Sequence, residues 1–395
     1  MTPSQRRSAS ALLACAILAG CGGGEPVEPP PPPGESVAGL STGERGRFLL
    51  GRALFERLAT ADEGLGPLYN AERCSDCHDQ PVVGGGGTRI RVLKATRFED
   101  NRCDLLLAEG GDNIQRRATE LLIAHGMGPE EVPAAATATA QVTAPPLLGL
   151  GLLEAVPDEV LLEWADPDDA DGNGISGRLP RLADGRTARF GRKGDASTVR
   201  DFVDTALRFE LGFTTPGHSA EEAVNGVSVP PDADPMADPE IDAPTLAQLT
   251  DYVRFLAPPA PEQDFSAAAR DTLAQGTALF RQIGCTACHR EELRTGPADT
   301  PALADRTIRP YSDMLLHDLG DVLADVCGFD ASPGELRTAP LWGLRHRDRL
   351  LHDGRVADVP SAISAHGGEA TAARDAFVAL PPEAQRAVVR FLLSL

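Results

Sequence analysis

The sequence carries one five-residue pattern twice, as Cys74-Ser75-Asp76-Cys77-His78 and as Cys285-Thr286-Ala287-Cys288-His289. Two cysteines three residues apart on one helical turn can each form a thioether to the same porphyrin, and the histidine behind them is then placed to ligate its iron. This is the attachment signature of c-type haem. The chain is therefore expected to fold around two covalent haems, with His78 and His289 as proximal ligands. The rival readings are a zinc ribbon and a thioredoxin-like dithiol. A ribbon sets its Cys-x-x-Cys knuckles about 15–20 residues apart, and neither rival needs a histidine behind both pairs.

A second repetition surrounds the first. Gly51-Arg52-Ala53-Leu54-Phe55 precedes one Cys-x-x-Cys-His segment and Gly276-Thr277-Ala278-Leu279-Phe280 precedes the other. Thr143-Ala144-Pro145-Pro146-Leu147 and Thr338-Ala339-Pro340-Leu341 follow them in the same order, the mark of an internal duplication whose first copy carries insertions. The proline-rich stretch 257–261 comes after a helix-like run and separates the copies. The expected domains are an N-terminal c-type haem domain with insertions, 41–257, and a C-terminal cytochrome c-like haem domain, 258–395. Alternating β-branched runs are few and helix-compatible segments such as 197–211 and 382–395 dominate. A mainly α fold is expected, each haem wrapped by short helices and long loops. Only 5 % of residues are aromatic, and covalent haems would supply the flat apolar surface that such a chain lacks.

Arg6 and Arg7, the short apolar run 9–19 and Leu18-Ala19-Gly20-Cys21 together have the form of an export signal. Its end resembles a bacterial lipobox. Residues 1–20 then read as a lipoprotein signal peptide, Cys21 as the lipidated first residue of the mature protein, and 21–40 as a Pro/Gly-rich tether on the periplasmic side of the membrane. A plain signal peptide with an incidental cysteine is the alternative. No later stretch is apolar for long enough to span a bilayer. The net charge of −21, with Lys94 and Lys193 the only lysines, argues against nucleic acid or an anionic lipid surface as partner. It suits a basic soluble electron carrier, although solubility alone explains it as well. Of the eight cysteines, Cys15 leaves with the signal, Cys21 takes lipid and four hold haem, so Cys103 and Cys327 remain as a candidate disulfide.

The order of several local motifs resembles the bacterial di-haem oxidoreductase family, related to the di-haem cytochrome c peroxidases and the MauG-type enzyme. The resemblance covers roughly residues 40–395. It rests on Gly64-Leu65-Gly66-Pro67-Leu68-Tyr69-Asn70 leading into Cys74, on Gly84 to Gly87, and on Asp171-Gly172-Asn173-Gly174-Ile175-Ser176-Gly177-Arg178. Phe190-Gly191-Arg192-Lys193, Glu210-Leu211-Gly212, Arg337 to Leu344, Leu351-His352-Asp353-Gly354-Arg355 and Ala365-His366-Gly367-Gly368-Glu369-Ala370 complete it.

That resemblance implies a di-haem redox enzyme fed by a small soluble donor, a c-type cytochrome or a cupredoxin, and acting on peroxide. A non-catalytic di-haem electron-transfer lipoprotein is the alternative. Glu210 falls where the peroxidases keep a distal glutamate, and a carboxylate buried beside haem would have a raised pKa suited to moving a proton. His366 falls where they close the C-terminal haem, with Met314 and His317, placed on one helix face, as rivals and a loop histidine as the plain alternative. His125 and His218 are further candidates for the sixth position of the first haem. Arg192 stands where the family usually shows a tryptophan, which puts an aromatic relay in doubt; of the two tryptophans left, Trp164 and Trp342, the latter is expected against the second haem. Related peroxidases hold calcium, and Asp169, Asp171 and Asn173 have the spacing of a calcium loop. Pro180, however, stands at the bidentate glutamate position, and an Asx turn is the rival. Relatives sometimes carry a thiol oxidoreductase label, but both dithiols here are committed to haem.

Overall fold

Five helices set the frame: α1 (Thr42–Glu56), α2 (Val199–Leu211), α3 (Ala243–Phe255), α4 (Ala267–Gln282) and α5 (Pro382–Leu392). They are seen in a computed structural model that describes residues 31–263 and 265–395; the signal segment, Cys21 and the first part of the tether lie outside them. Helix α1 starts on a capping box, in which Ser41 Oγ accepts from the Glu44 amide and the Glu44 carboxylate accepts from the Ser41 amide. Thr198, Asp242 and Ser266 cap α2, α3 and α4 in the same way, each with one side-chain oxygen.

Helix α1 packs across α3, and α4 packs across α5. At the first crossing a Cβ on Gly51 would stand 2.7 Å from the Tyr252 Cβ and closer still to the Gln248 carbonyl. At the second, a Cβ on Gly276 would stand 2.7 Å from the Phe391 Cβ and closer still to the Ala387 carbonyl. Only glycine lets the backbones approach so closely, which explains why Gly-x-Ala-Leu-Phe recurs. One turn further on, the Phe55 ring lies 5.0 Å from Tyr252 and 6.1 Å from His78. The Phe280 ring lies 5.4 Å from Phe391 and 6.5 Å from His289. The few aromatics thus gather at the two Cys-x-x-Cys-His segments, in a larger apolar core around Phe48, Phe55, Tyr252 and Phe255 and a smaller one around Phe280, Tyr311, Phe377 and Phe391.

A sheet separates this arrangement from the expected mainly α fold. Strand β1 (Gly87–Glu99) pairs antiparallel with β2 (Arg102–Asp104), β3 (Asn113–Ile114) and β4 (Ala138–Ala144). The fold is helix-rich with sheets, 32 % helix and 15 % strand. The strand signal is weak in the sequence because β4 is mostly alanine and threonine, and it is a strand only by virtue of its partner β1. Two short strands, β5 (Leu316–Asp318) and β6 (Glu335–Arg337), pair further along the chain. Cys103 in β2 and Cys327 form a disulfide that ties the sheet to the loop after β5. Before α1, the Val37 amide donates to the Phe255 carbonyl at 2.8 Å, so the chain joins the body beside the end of α3. No described helix is long and apolar enough to cross a membrane.

Candidate haem sites

Each Cys-x-x-Cys-His segment is a single tight turn, Cys74–Asp76 and Cys285–Ala287, after which the histidine amide donates back to the first cysteine's carbonyl at 3.1 and 3.0 Å. His78 Nδ1 lies 3.0 Å from the Gly85 carbonyl and His289 Nδ1 lies 2.8 Å from the Tyr311 carbonyl. A carbonyl only accepts, so Nδ1 carries the proton in both rings and the Nε2 lone pair is left for a metal. Burial holds both imidazoles neutral, lowering His78 and bringing His289 down to about 4. Neither cysteine pair is disulfide-bonded, and burial pushes the Cys74, Cys77 and Cys285 thiols up to about 12, so they offer no thiolate for exchange chemistry. Unpaired thiols one turn apart, with a neutral imidazole behind them, fit thioether attachment of haem at both segments, and Leu207, Leu211, Phe213 and Leu249 line a recess beside Cys74.

Glu210 lies in the last turn of α2, just before the Gly212 cap. Asn113 Nδ2 donates to its Oε1 at 2.8 Å and Asn70 Nδ2 donates to its Oε2 at 3.0 Å. Its backbone carbonyl accepts from the amides of Asn70 and Ala71, which binds α2 to the segment leading into Cys74. Burial raises the Glu210 pKa, opposed by the two amides and by Lys94. Its charge in turn raises the pKa of Cys77, which puts the carboxyl at the first site. Lys94 donates to Asp112 at 2.7 Å and lies across from Asn113 in the β1–β3 register. Asn113 and Lys94 thus reach the site through the sheet, and nothing in the sequence singles them out.

His366 sits between the helix Val359–Ser364 and a glycine-rich turn. Its Nδ1 lies 2.8 Å from the Ala362 carbonyl, which leaves Nε2 free, as in the two proximal histidines. It stands near enough to His289 for its charge to be, after burial and the Tyr311 carbonyl, the next influence on that pKa. The rival His317 is engaged at both nitrogens, Nε2 to Asp313 and Nδ1 to Glu369, each at 2.9 Å. Residues 312–318 are not helical: Met314 has φ +62 and the chain runs on into β5, so Met314 and His317 share no helix face. His125 and His218 lie at the surface, each with one ring nitrogen near a carboxylate, at 3.4 Å from Asp232 and 3.1 Å from Asp204.

Arg192 lies 3.5 Å from Asp325 Oδ2, which is also 3.0 Å from His352 Nε2, and Lys193 lies 3.4 Å from Asp325 Oδ1, so a charged cluster fills the relay position. Trp342 packs on Gly149 within the larger core, while its neighbours Leu341 and Leu344 turn to the smaller one. Trp164 lies under the Arg290 guanidinium, 3.9 Å from its ring centre. In the acidic loop, carboxylates of Asp166, Asp169 and Asp171 converge. Asn173 is turned away from a ligand role, since its Oδ1 accepts from the Ile175 amide at 2.8 Å and its Nδ2 donates to Asp171 at 2.9 Å. The Asx turn is built and Asp166 takes the place expected of Asn173. An open cleft of about 460 Å³ is lined by Glu154, Asp158, Arg181, Arg186 and Arg189 and includes no residue of either Cys-x-x-Cys-His segment.

A family model described as "Di-haem oxidoreductase, putative peroxidase" matches residues 137–395. No curated protein matches the chain. Among solved structures, hydrazine synthase from Kuenenia stuttgartiensis is 13 % identical over 99 % of this chain and 100 % of that one, with a TM-score of 0.41. A MauG-like protein associated with microbial copper homeostasis is 15 % identical over 94 % of each chain, with a TM-score of 0.39. A variant of the diheme peroxidase BthA from Burkholderia thailandensis is 14 % identical over 88 % of this chain and 85 % of that one, with a TM-score of 0.42.

Proposed function

Because the chain belongs to the di-haem oxidoreductase family, we propose that it binds two covalent haems c and reduces peroxide at the site of Cys74, Cys77 and His78. Electrons come from a small soluble donor, a c-type cytochrome or a cupredoxin, by way of the site of Cys285, Cys288 and His289. Haem held by Cys74, Cys77 and His78 and by Cys285, Cys288 and His289 would supply the one-electron redox chemistry. The rest of the work falls to side chains.

One observation carries the reading: a half-buried carboxyl, Glu210, is held by two amides on a helix end that is bonded to the segment leading into Cys74. Cleaving an O–O bond to two waters needs a group that takes a proton from one oxygen and returns it to the other. With both Glu210 oxygens fixed by Asn70 and Asn113, the carboxyl is aimed rather than free to rotate, and its raised pKa brings its proton affinity towards that of its task. At the second site His366 offers an imidazole with a free Nε2 instead of a carboxyl, suited to filling the sixth position and keeping peroxide out.

The two copies of the Gly-x-Ala-Leu-Phe helix crossing support two cytochrome c-like haem units that arose by duplication. The signal-like N-terminus and the Cys103–Cys327 disulfide support an exported lipoprotein in an oxidising compartment, anchored through Cys21. Replacing Cys21 with Ser is expected to release the haem protein from the membrane fraction. The second reading, a di-haem protein that only passes electrons, is favoured by Arg192, since its ion pair with Asp325 cannot be oxidised as an aromatic relay could. The test is peroxide-dependent oxidation of a reduced c-type cytochrome or cupredoxin. Turnover that Glu210→Gln abolishes supports the enzyme; no turnover with any donor, at full haem content, leaves the electron-transfer reading.

A further inference from the structure

Glu369 lies three residues after His366, in the turn Gly368–Ala370. Its Oε2 accepts from His317 Nδ1 at 2.9 Å, and its Oε1 accepts from Ser176 Oγ at 2.6 Å and from the Asp318 amide at 3.3 Å. The other nitrogen of His317 donates to Asp313 Oδ2 at 2.9 Å. His317 is only 4 % exposed and Asp313 only 1 %, so this chain of groups is shielded from water. An imidazole that donates from both nitrogens is an imidazolium; burial opposes the charge, but the bonds to Asp313 and Glu369 raise its pKa.

Asp313 belongs to the segment that runs along the proximal side of the second site. Its amide donates to the Cys288 carbonyl at 3.0 Å and the Ser312 amide donates to the Arg290 carbonyl at 2.9 Å. Two residues earlier, the Tyr311 carbonyl accepts from His289 Nδ1. On the other side, a Cβ on Gly368, at φ +50, would stand 2.7 Å from the Gly320 amide nitrogen, so the His366 turn is pressed against the chain that follows β5. Arg374 donates to the His366 carbonyl at 2.9 Å.

We propose that Glu369 is a positioning residue: through His317 and Asp313 it ties the turn bearing His366 to the segment that orients His289, so one buried network sets both axial sides of the second haem. The inference rests on the reading of His366 as sixth ligand. Without the clamp, the turn is held only by its close backbone contacts and by Arg374, and His366 leaves the iron more often. Ser176 joins the network from the loop that follows the Asp166–Asp169–Asp171 cluster, so that loop is a second place from which the turn is held.

The experiment compares Glu369→Ala, Glu369→Gln, Ser176→Ala and His366→Ala in the full-length protein, each first shown to carry two covalent haems. The readouts are the low-temperature EPR spin state of ferric haem and the binding of added imidazole. Glu369→Ala is expected to move the second haem towards high spin and to tighten imidazole binding there about tenfold, the factor that corresponds to about 1.4 kcal/mol. Glu369→Gln, which keeps an accepting oxygen, and Ser176→Ala, which removes one bond, are expected to shift both readouts less and in the same direction. A merely structural glutamate would lower the melting temperature and leave both readouts alone. If His366→Ala opens the second haem and the Glu369 variants do not, the positioning role is overturned while the ligand assignment stands. If His366→Ala changes nothing, both are overturned. Should Glu369→Ala not be recovered with two haems, Glu369→Gln and Ser176→Ala decide, and an unchanged spin state in both overturns the proposal.

Discussion

On the proximal side the two Cys-x-x-Cys-His segments are close copies: each imidazole donates from Nδ1 to a backbone carbonyl, Gly85 or Tyr311, and each lies beside a phenylalanine one turn after a crossing glycine. On the distal side they diverge. The first has a half-buried carboxyl steadied by two amides, the second an imidazole on a clamped turn. A carboxyl with a raised pKa can move a proton, whereas an imidazole with a free Nε2 can close an iron. The comparison teaches that the repeated helix pair carries the features that fit haem attachment, and that the two sites differ only in what the loops and the sheet bring near them.

The largest effect should come from removing one half of the comparison. Cys285→Ser with Cys288→Ser is expected to leave one covalent haem, counted as the pyridine haemochrome, and to abolish donor-dependent peroxide turnover. The haem that remains should show the spectrum of an open or openable site. A remaining haem with a closed, bis-imidazole spectrum would mean that the two roles are assigned the wrong way round.

Glu210→Gln is expected to lower peroxide turnover by about 10²–10⁴-fold and leave the spectrum of the second haem unchanged. The ionised carboxyl must take the first proton, and its pKa is raised by burial above the ordinary 4.5, so wild-type turnover should rise with pH along a limb above the normal carboxylate range. The Gln variant should lose that limb. The same shift has a stability sign: between the unfolded and folded pKa values the native state holds a proton that the unfolded chain has released. Stability therefore falls as pH rises through that window, and Glu210→Gln should flatten the fall in a melting series.

At the second site, His366→Ala should open one haem and spare the other. His366→Met should raise the potential of that haem and add the weak near-infrared band of sulfur-ligated ferric haem, because a thioether stabilises ferric iron less than an imidazole does. The smallest effect probes where the sites agree. Gly51→Ala and Gly276→Ala should each destabilise by about 1–3 kcal/mol, since the built Cβ atoms meet Tyr252 and Phe391 at the same 2.7 Å. Melting temperatures that fall for only one of the pair would break the equivalence of the two crossings.

What was legible in the sequence is what local spacing dictates. The Cys-x-x-Cys-His turns, the paired Gly-x-Ala-Leu-Phe helices and the two cysteines left over for a disulfide all follow from patterns a few residues long or from simple counting. Glu210 could be placed only by its motif and His366 only by its order in the chain. The rest depends on long-range pairing. Strand β4 has little strand character of its own, Asn113 reaches Glu210 across 97 residues, and Glu369 meets His317 across 52 and Ser176 across 193. Met314 and His317 were misread for the same reason, because the segment is held extended by Cys288, Arg290 and β6 rather than by any local preference.

On the proposed reading, two sites alike in attachment differ in reactivity. EPR and visible spectra of the fully loaded ferric protein, titrated with hydrogen peroxide, test it most directly. The expected result is that one haem responds, that Glu210→Gln suppresses the response, and that the other keeps an unchanged low-spin signal which only His366 variants alter. Two low-spin haems that peroxide leaves untouched, or two that respond alike, would contradict it.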